Sequence, residues 1–191
     1  MRFRKLIPPM SIIALAALFV AGGGCSRHGR KGNAAPVPGV SPLFGATFQR
    51  DEAAVRDLIE KRAKPNEKVA SAVILEEDRG KGVVEKIDVT GWTPLHMAAY
   101  QRDDKIINLL VGAGADINAR NGDGQTPISV VFMTQFGHGG CLSYRETIAM
   151  FIKLGADLNV ADNDGKTVLH YAVRTGWKDV IQMLRNAGAK E

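Results

Sequence analysis

His138, Cys141 and Glu146 fall within one stretch, QFGHGGCLSYRE, Gln135 to Glu146, which also holds three glycines. A thiol near an imidazole is the minimum for a nucleophile with its base, and the same pair could begin a metal site. Either chemistry needs one more group, an orienting acid or a third ligand. Locally only Glu146 is available. Ser143 and Glu146 have the S-x-x-E spacing of a helix capping box, ahead of the apolar run TIAMFIKL, so Glu146 has a structural role to fill first. Cys141, just before that helix start, could be somewhat acidified by it. DGKT at 164–167 ends like a phosphate loop, but the glycine required five residues before Gly165 is Val160. His96 and His170 close TPLH and TVLH, whereas Ser129 stands at the same place in a third copy, which argues against a shared catalytic role. No HExxH, GxSxG, CxxC or acidic calcium loop occurs. On this reading the sequence assigns no catalytic residue, no metal ligand and no cofactor.

The elements that carry these residues repeat. Gly91 and Thr93 return as Gly124 and Thr126, 33 residues on, and as Gly165 and Thr167 after a further 41. The Gly114-Ala-Asp triplet returns at Gly155 after 41 residues, and Gly188-Ala189 follows after 33. Pro94 and Pro127 suit the first turn of a helix. Leu95, Ala98 and Ala99 make an apolar stripe with small residues on a first helix. Ile106, Ile107, Leu110 and Val111 give a second helix its apolar face. Gly114, Gly155 and Gly188 stand just past each second helix, where a left-handed residue closes it with little strain. One such unit cannot bury its own stripe, but stacked neighbours can.

TPLHMAA followed by LLVGAGADIN at this period resembles the ankyrin repeat family, and the resemblance covers most of residues 41–191. It implies an all-α solenoid, a degenerate N-terminal capping repeat followed by three repeats. LFGATFQRDEAAVRDLIEKRAKPN is the cap; Val55, Leu58 and Ile59 face the next unit, and Arg50, Asp51, Arg56 and Lys61 face water. Arg62 stands where the other units have Gly. From Asn66 to Asn118 is 52 residues, 19 more than one period. The excess falls within VASAVILEEDRGKGVVEKIDV, which reads as an enlarged β-hairpin-like finger; a short helix over Lys68 to Glu77 is the competing reading. QFGHGGCLSYRE falls between a first and a second helix and accounts for the 41-residue spacing.

The N-terminus is a different kind of sequence. MRFRK precedes an apolar stretch of 15 residues interrupted by two prolines, which is short for a membrane span and suits an export signal. It ends in Gly22-Gly-Gly-Cys25 and resembles the lipobox of bacterial lipoproteins, departing from it at Gly22, where Leu is usual. The resemblance implies lipidation of Cys25, and Ser26 after it implies an outer-membrane destination facing the periplasm. A soluble periplasmic protein cut at a small-residue site and an uncleaved anchor are the alternatives. Residues 1–25 are thus expected to be a signal peptide, 26–40 a tether and 41–191 the repeat domain. The formal charge of +5 comes from the first two of these; from Ser41 onward 19 Lys/Arg face 20 Asp/Glu. Without a basic patch on the domain, nucleic acid is disfavoured as a partner.

The family resemblance implies a protein–protein interaction module that binds through finger tips and exposed positions of the first helices. Carried over, these are Val89, Thr90, Trp92, Tyr100 and Gln101; Gly122, Asp123, Gln125, Met133 and Thr134; and Asn163, Asp164, Lys166, Arg174 and Thr175. Trp92, Tyr100, Met133 and Arg174 are of types enriched at interfaces. The expected partner is an envelope or periplasmic protein. The alternatives are an immunity-type protein that neutralises a toxin, or a thiol- or metal-dependent enzyme using His138 and Cys141.

Overall fold

Helix starts and stops follow the local chemistry. The computed structural model describes residues 17–20, 40–70, 73–77, 84–133 and 144–190. Helix α1 (Pro42–Phe48) is capped by Ser41, whose hydroxyl accepts from the Phe44 amide at 3.2 Å. Asp51 and Asp103 cap α2 (Glu52–Glu60) and α4 (Asp104–Gly112) in the same way. Each cap satisfies an otherwise orphaned N–H and is worth about 1 kcal/mol. Pro94 opens α3 (Pro94–Gln101) and Pro127 opens α5 (Pro127–Val130), as their fixed φ favours. The remaining helices are α6 (Tyr144–Lys153), α7 (Val168–Thr175) and α8 (Lys178–Asn186). Gly114, Gly155 and Gly188 close the second helices at φ +86°, +84° and +93°, and Arg62 takes the same left-handed region at +60°.

Helix α5 is a single turn that tightens into a 3-10 turn over Val131–Met133. Its β-branched run, Ile128, Val130 and Val131, disfavours a longer helix. That residue run nevertheless forms the centre of the core: Ile128, Val130 and Val131 are fully buried, as are Leu95, Ala98 and Ala99 of α3 and Ile106, Ile107 and Leu110 of α4. Burying a Leu or Ile of this kind contributes about 1.5–3 kcal/mol. Helix α3 packs between α1 and α5, so the first helices form one layer and the second helices another.

Asparagine side chains fasten consecutive units. Asn66 donates to the Gly114 carbonyl at 3.1 Å and accepts from the Asp116 amide at 2.7 Å. Asn118 accepts from Asp157 at 2.9 Å, and Asn159 repeats the full bracket on Gly188 and Lys190. The cap departs from expectation at two residues. Arg56 and Lys61 do face water, in ion pairs with Glu52 and Asp57. Arg50 and Asp51 are only half exposed and are engaged: Arg50 donates to the Gln101 carbonyl at 3.0 Å and Asp51 caps α2.

The enlarged finger is a hairpin. Strand β2 (Val73–Glu77) pairs antiparallel with β3 (Val84–Asp88), Val73 opposite Asp88 and Glu77 opposite Val84. The helix alternative over Lys68 to Glu77 is therefore excluded; a continuous Val/Ile/Leu run gains a full ladder of hydrogen bonds as a strand. Strand β1 (Ala17–Val20), within the segment expected to be an export signal, pairs in parallel with β2. The tether and the His138/Cys141 stretch lie outside the described residues, apart from Val40 and from Tyr144 to Glu146 at the start of α6. So do Cys25 and the Ser143 cap.

Candidate partner-binding cleft

The finger tips of the second and third repeats are the same turn built from similar residues. In one, Asn121 Oδ1 accepts from the Asp123 and Gln125 amides at 3.0 and 2.8 Å, and the Asn121 amide donates to the Gln125 carbonyl. In the other, Asp162 Oδ1 accepts from the Asp164 and Lys166 amides, both at 2.9 Å, and the Asp162 amide donates to the Lys166 carbonyl. Short Asn and Asp side chains suit this because they hydrogen-bond their own backbone two residues on. The tips are joined edge to edge. Asn163 donates its amide to the Asp123 carbonyl at 2.9 Å and its side chain to the Gly122 carbonyl at 3.0 Å. Gly122 in turn donates to Thr90 at 3.1 Å. A Cβ at Gly124, φ +78°, would lie 2.4 Å from Asn163 Oδ1, so only glycine allows this approach.

The cross-repeat ties behind the tips differ. His96 is buried and its Nε2 donates to the Gln125 carbonyl at 3.0 Å, while Nδ1 accepts from the Thr93 amide at 3.2 Å. The Thr93 donor assigns the neutral Nε2–H form. Burial lowers the pKa of His96 to about 4, with a small push from Lys68; the Gln125 and Ala119 carbonyls and Asp116 oppose it. In the second repeat Ser129 takes that place, and among the described residues its hydroxyl reaches Thr126, at 3.1 Å. There the tie is made by side chains instead. Gln125 Nε2 donates to the Tyr171 hydroxyl at 2.9 Å, and that hydroxyl donates to Asp162 Oδ2. Burial and the hydrogen bond to Asp162 raise the Tyr171 pKa to about 12. Burial pushes Asp162 up, but the bonds from Tyr171, Lys166 and Asp164 outweigh it and hold the carboxyl below its usual range.

Tyr171 and Gln125 form the floor of an open cleft of about 420 Å³. Asp123, Asn163, Asp164 and Lys166 line it from the tips, Asp162 from beside Tyr171, and Met133 and Arg174 from the first helices. Lys166 pairs with Asp164 at 2.9 Å, which raises its pKa. The Arg174 guanidinium stands 5.8 Å from the centre of the Tyr171 ring. Among the described residues no group of three or more potential metal ligands occurs, and no helix is long and apolar enough to cross a membrane.

Comparison with known families matches residues 90–122 to "Ankyrin repeat" and residues 114–191 to "Ankyrin repeats (3 copies)", together more than half of the chain. The chain belongs to the ankyrin repeat family. It is 30% identical over 97 residues to mouse ankyrin repeat and MYND domain-containing protein 1, which covers 44% of this chain and 10% of that protein. It is 40% identical over 58 residues to human Rabankyrin-5, 30% of this chain and 5% of the relative. A mouse protein phosphatase 1 regulatory subunit 27 is 40% identical over 48 residues, 25% of this chain and 31% of the relative. The chain thus spans less than a third of the length of each of these proteins. Ankyrin repeats are protein–protein interaction modules, and the family is generally non-enzymatic.

Within this ankyrin stack, the expected binding residues divide. Asp123, Gln125, Met133, Asp164, Lys166 and Arg174 converge on the cleft. The first repeat is corrected: Val89, Trp92 and Tyr100 were expected at the surface and are buried, at 0%, 1% and 4% exposure. Trp92 packs edge-on against Tyr100, ring centres 5.6 Å apart, in the same core cluster as Leu43 and Phe44 of the cap and Val69 and Ile87 at the finger base. Gln101 is engaged with the cap, donating to the Phe48 carbonyl at 2.8 Å, and Thr90 is half-buried at the finger junction. Gln125 also differs from expectation, since its buried side chain holds Asn121 and Tyr171. Thr134 lies outside the described residues. Asp162 and Tyr171 were missed. The available signal was Ser129: a repeat without the histidine needs another tie to its neighbour, and a tyrosine one residue after His170 can supply it.

Proposed function

We propose that this is an exported ankyrin protein, anchored through lipidated Cys25 at the periplasmic side of the outer membrane, that recognises an envelope or periplasmic protein through the cleft between its second and third finger tips. The convergence of Asp123, Met133, Asp164, Lys166 and Arg174 around Tyr171 carries the recognition half of this reading. Met133, Arg174 and the aromatic floor are of types enriched at interfaces, and the paired Asp164 and Lys166 and the open Asp123 set the charge pattern around them. The cationic start, short apolar stretch and Gly22–Cys25 ending support export and acylation. Similarity to a chain named as a phosphatase regulatory subunit favours action through another protein over catalysis.

The test joins mass spectrometry of the mature N-terminus with crosslinking from a photoreactive residue at position 133. An acylated N-terminal cysteine and a crosslinked protein lost on Asp164→Ala with Arg174→Ala are expected. An unacylated N-terminus removes the anchor. A crosslink that survives the double substitution removes the cleft as the binding face.

A further inference from the structure

Five charged side chains line the cleft, and three of them are already committed. Asp162 holds the Tyr171 hydroxyl and two backbone N–H groups, and Asp164 and Lys166 hold each other. That leaves Asp123 and Arg174. Among the described residues, the Asp123 carboxylate meets no donor and the Arg174 guanidinium meets no acceptor and stands 5.8 Å from the centre of the Tyr171 ring. The two belong to different repeats, with the floor of Gln125 and Tyr171 beneath the open cleft.

The backbone behind both open charges is fixed. The Asp123 backbone is pinned on either side, its amide on Asn121 and its carbonyl on Asn163, and the side chain is short. Arg174 lies in the last turn of α7, where the helix dipole favours a cation, and its guanidinium is close to a ring fixed by Gln125 and Asp162. An anion-only ligand would satisfy Arg174 but bring another negative charge to Asp123, Asp162 and Asp164. A cation-only ligand would leave Arg174 facing it, desolvated and unpaired, which is costly.

Resting on the recognition role proposed above, we propose that the cleft is a two-charge receptor: it takes a protein segment carrying one acid and one base, seating the acid on Arg174 and the base on Asp123. Guanidinium binds carboxylate in a bidentate fork, and a Lys or Arg of the partner completes Asp123. The cleft volume of about 420 Å³ lies within the range of small-ligand sites.

The experiment is an NMR titration of the full-length chain with a blocked, glycine-based peptide carrying one Glu and one Lys, and with versions in which either or both become Gln. The resonances followed are Arg174 Nε–H and the Asp123 and Lys166 amides. The Glu/Lys peptide should bind in the millimolar range, each single replacement weakening it by about five-fold, the scale of an exposed ion pair. In Arg174→Gln the Glu replacement should lose its effect while the Lys replacement keeps it; Asp123→Asn should do the reverse. Both side chains are exposed, so neither variant endangers the fold. Equal binding of the uncharged peptide, effects that ignore which protein residue was changed, or no binding below about 10 mM would each overturn the two-charge receptor. Those outcomes are separable from failure of the recognition role, because a protein crosslinked at position 133 of the unsubstituted chain reports that role whatever charges the partner carries.

Discussion

Acidification should weaken this stack through one buried imidazole. His96 has its ordinary pKa of 6.5 when unfolded and about 4 when folded. Lowering the folded pKa of a base means that the unfolded chain takes the proton first, so stability is full well above pH 6.5 and falls as pH drops through 6.5 toward 4. For these two values the loss relative to pH 7 is about 1.2 kcal/mol at pH 5.5, about 2 kcal/mol at pH 5 and about 3 kcal/mol at pH 4. The structural cause is specific. Protonation would turn Nδ1 from acceptor to donor against the Thr93 amide, inside a site that excludes water. Urea unfolding at pH 7, 6, 5.5 and 5, comparing the native chain with His96→Gln, measures it. The variant should start less stable, since the Gln125 carbonyl or Thr93 amide loses its partner, but should lose about 2 kcal/mol less between pH 7 and 5. Asp162, held below the usual carboxylate range, contributes stability that is lost only as pH falls through that lower value, outside the window used. If both chains lost equal stability across the window, the reasoning from His96 burial would be wrong.

Two comparisons test the finger tips. Gly124→Ala should destabilise more than Gly165→Ala, although both glycines have φ near +78°: the first Cβ meets the Asn163 backbone at 2.9 Å and the second meets open space. The expected costs are about 1 kcal/mol at Gly165 and about 2–4 kcal/mol at Gly124, read by thermal or urea unfolding; equal costs would refute the close-approach argument. Tyr171→Phe should cost about 1–2 kcal/mol, because Gln125 Nε2 loses its acceptor in a buried position, and Gln125→Ala with Tyr171→Phe should cost less than the sum of the two single changes. Additive costs in that double-mutant cycle would mean that the two side chains do not act as one tie.

Much of the fold was legible because each ankyrin unit is made by contacts close in sequence. Pro94, Pro127 and the glycines at 114, 155 and 188 act on the backbone at their own positions, and Leu95, Ile106 and Leu110 are spaced for one helix face. The hairpin over Val73–Asp88 was the preferred of two readings, since Val, Ile and Leu in a continuous run suit either a strand or a buried helix until a partner strand is in place. Half of the cleft was legible through the family resemblance, which carries the finger-tip positions over to Asp123, Asp164 and Lys166.

Burial was not legible in the same way, because it belongs to pairs of distant segments. Trp92 and Tyr100 occupy positions that an inner repeat could expose, but the cap and the finger base share one core with them, and whether α1 covers α3 is set by how the first unit docks. The second cross-repeat tie spans 46 residues between Gln125 and Tyr171, and no local pattern encodes it. Sequence alone therefore determined the repeat, its period, the glycines that close its second helices and the insertion of the long finger, all of which follow from torsional preference and short-range apolar spacing. Tertiary structure alone decided which interface-type side chains are spent on the core and which charges are left open, because pairing and solvent exposure exist only once the repeats are stacked.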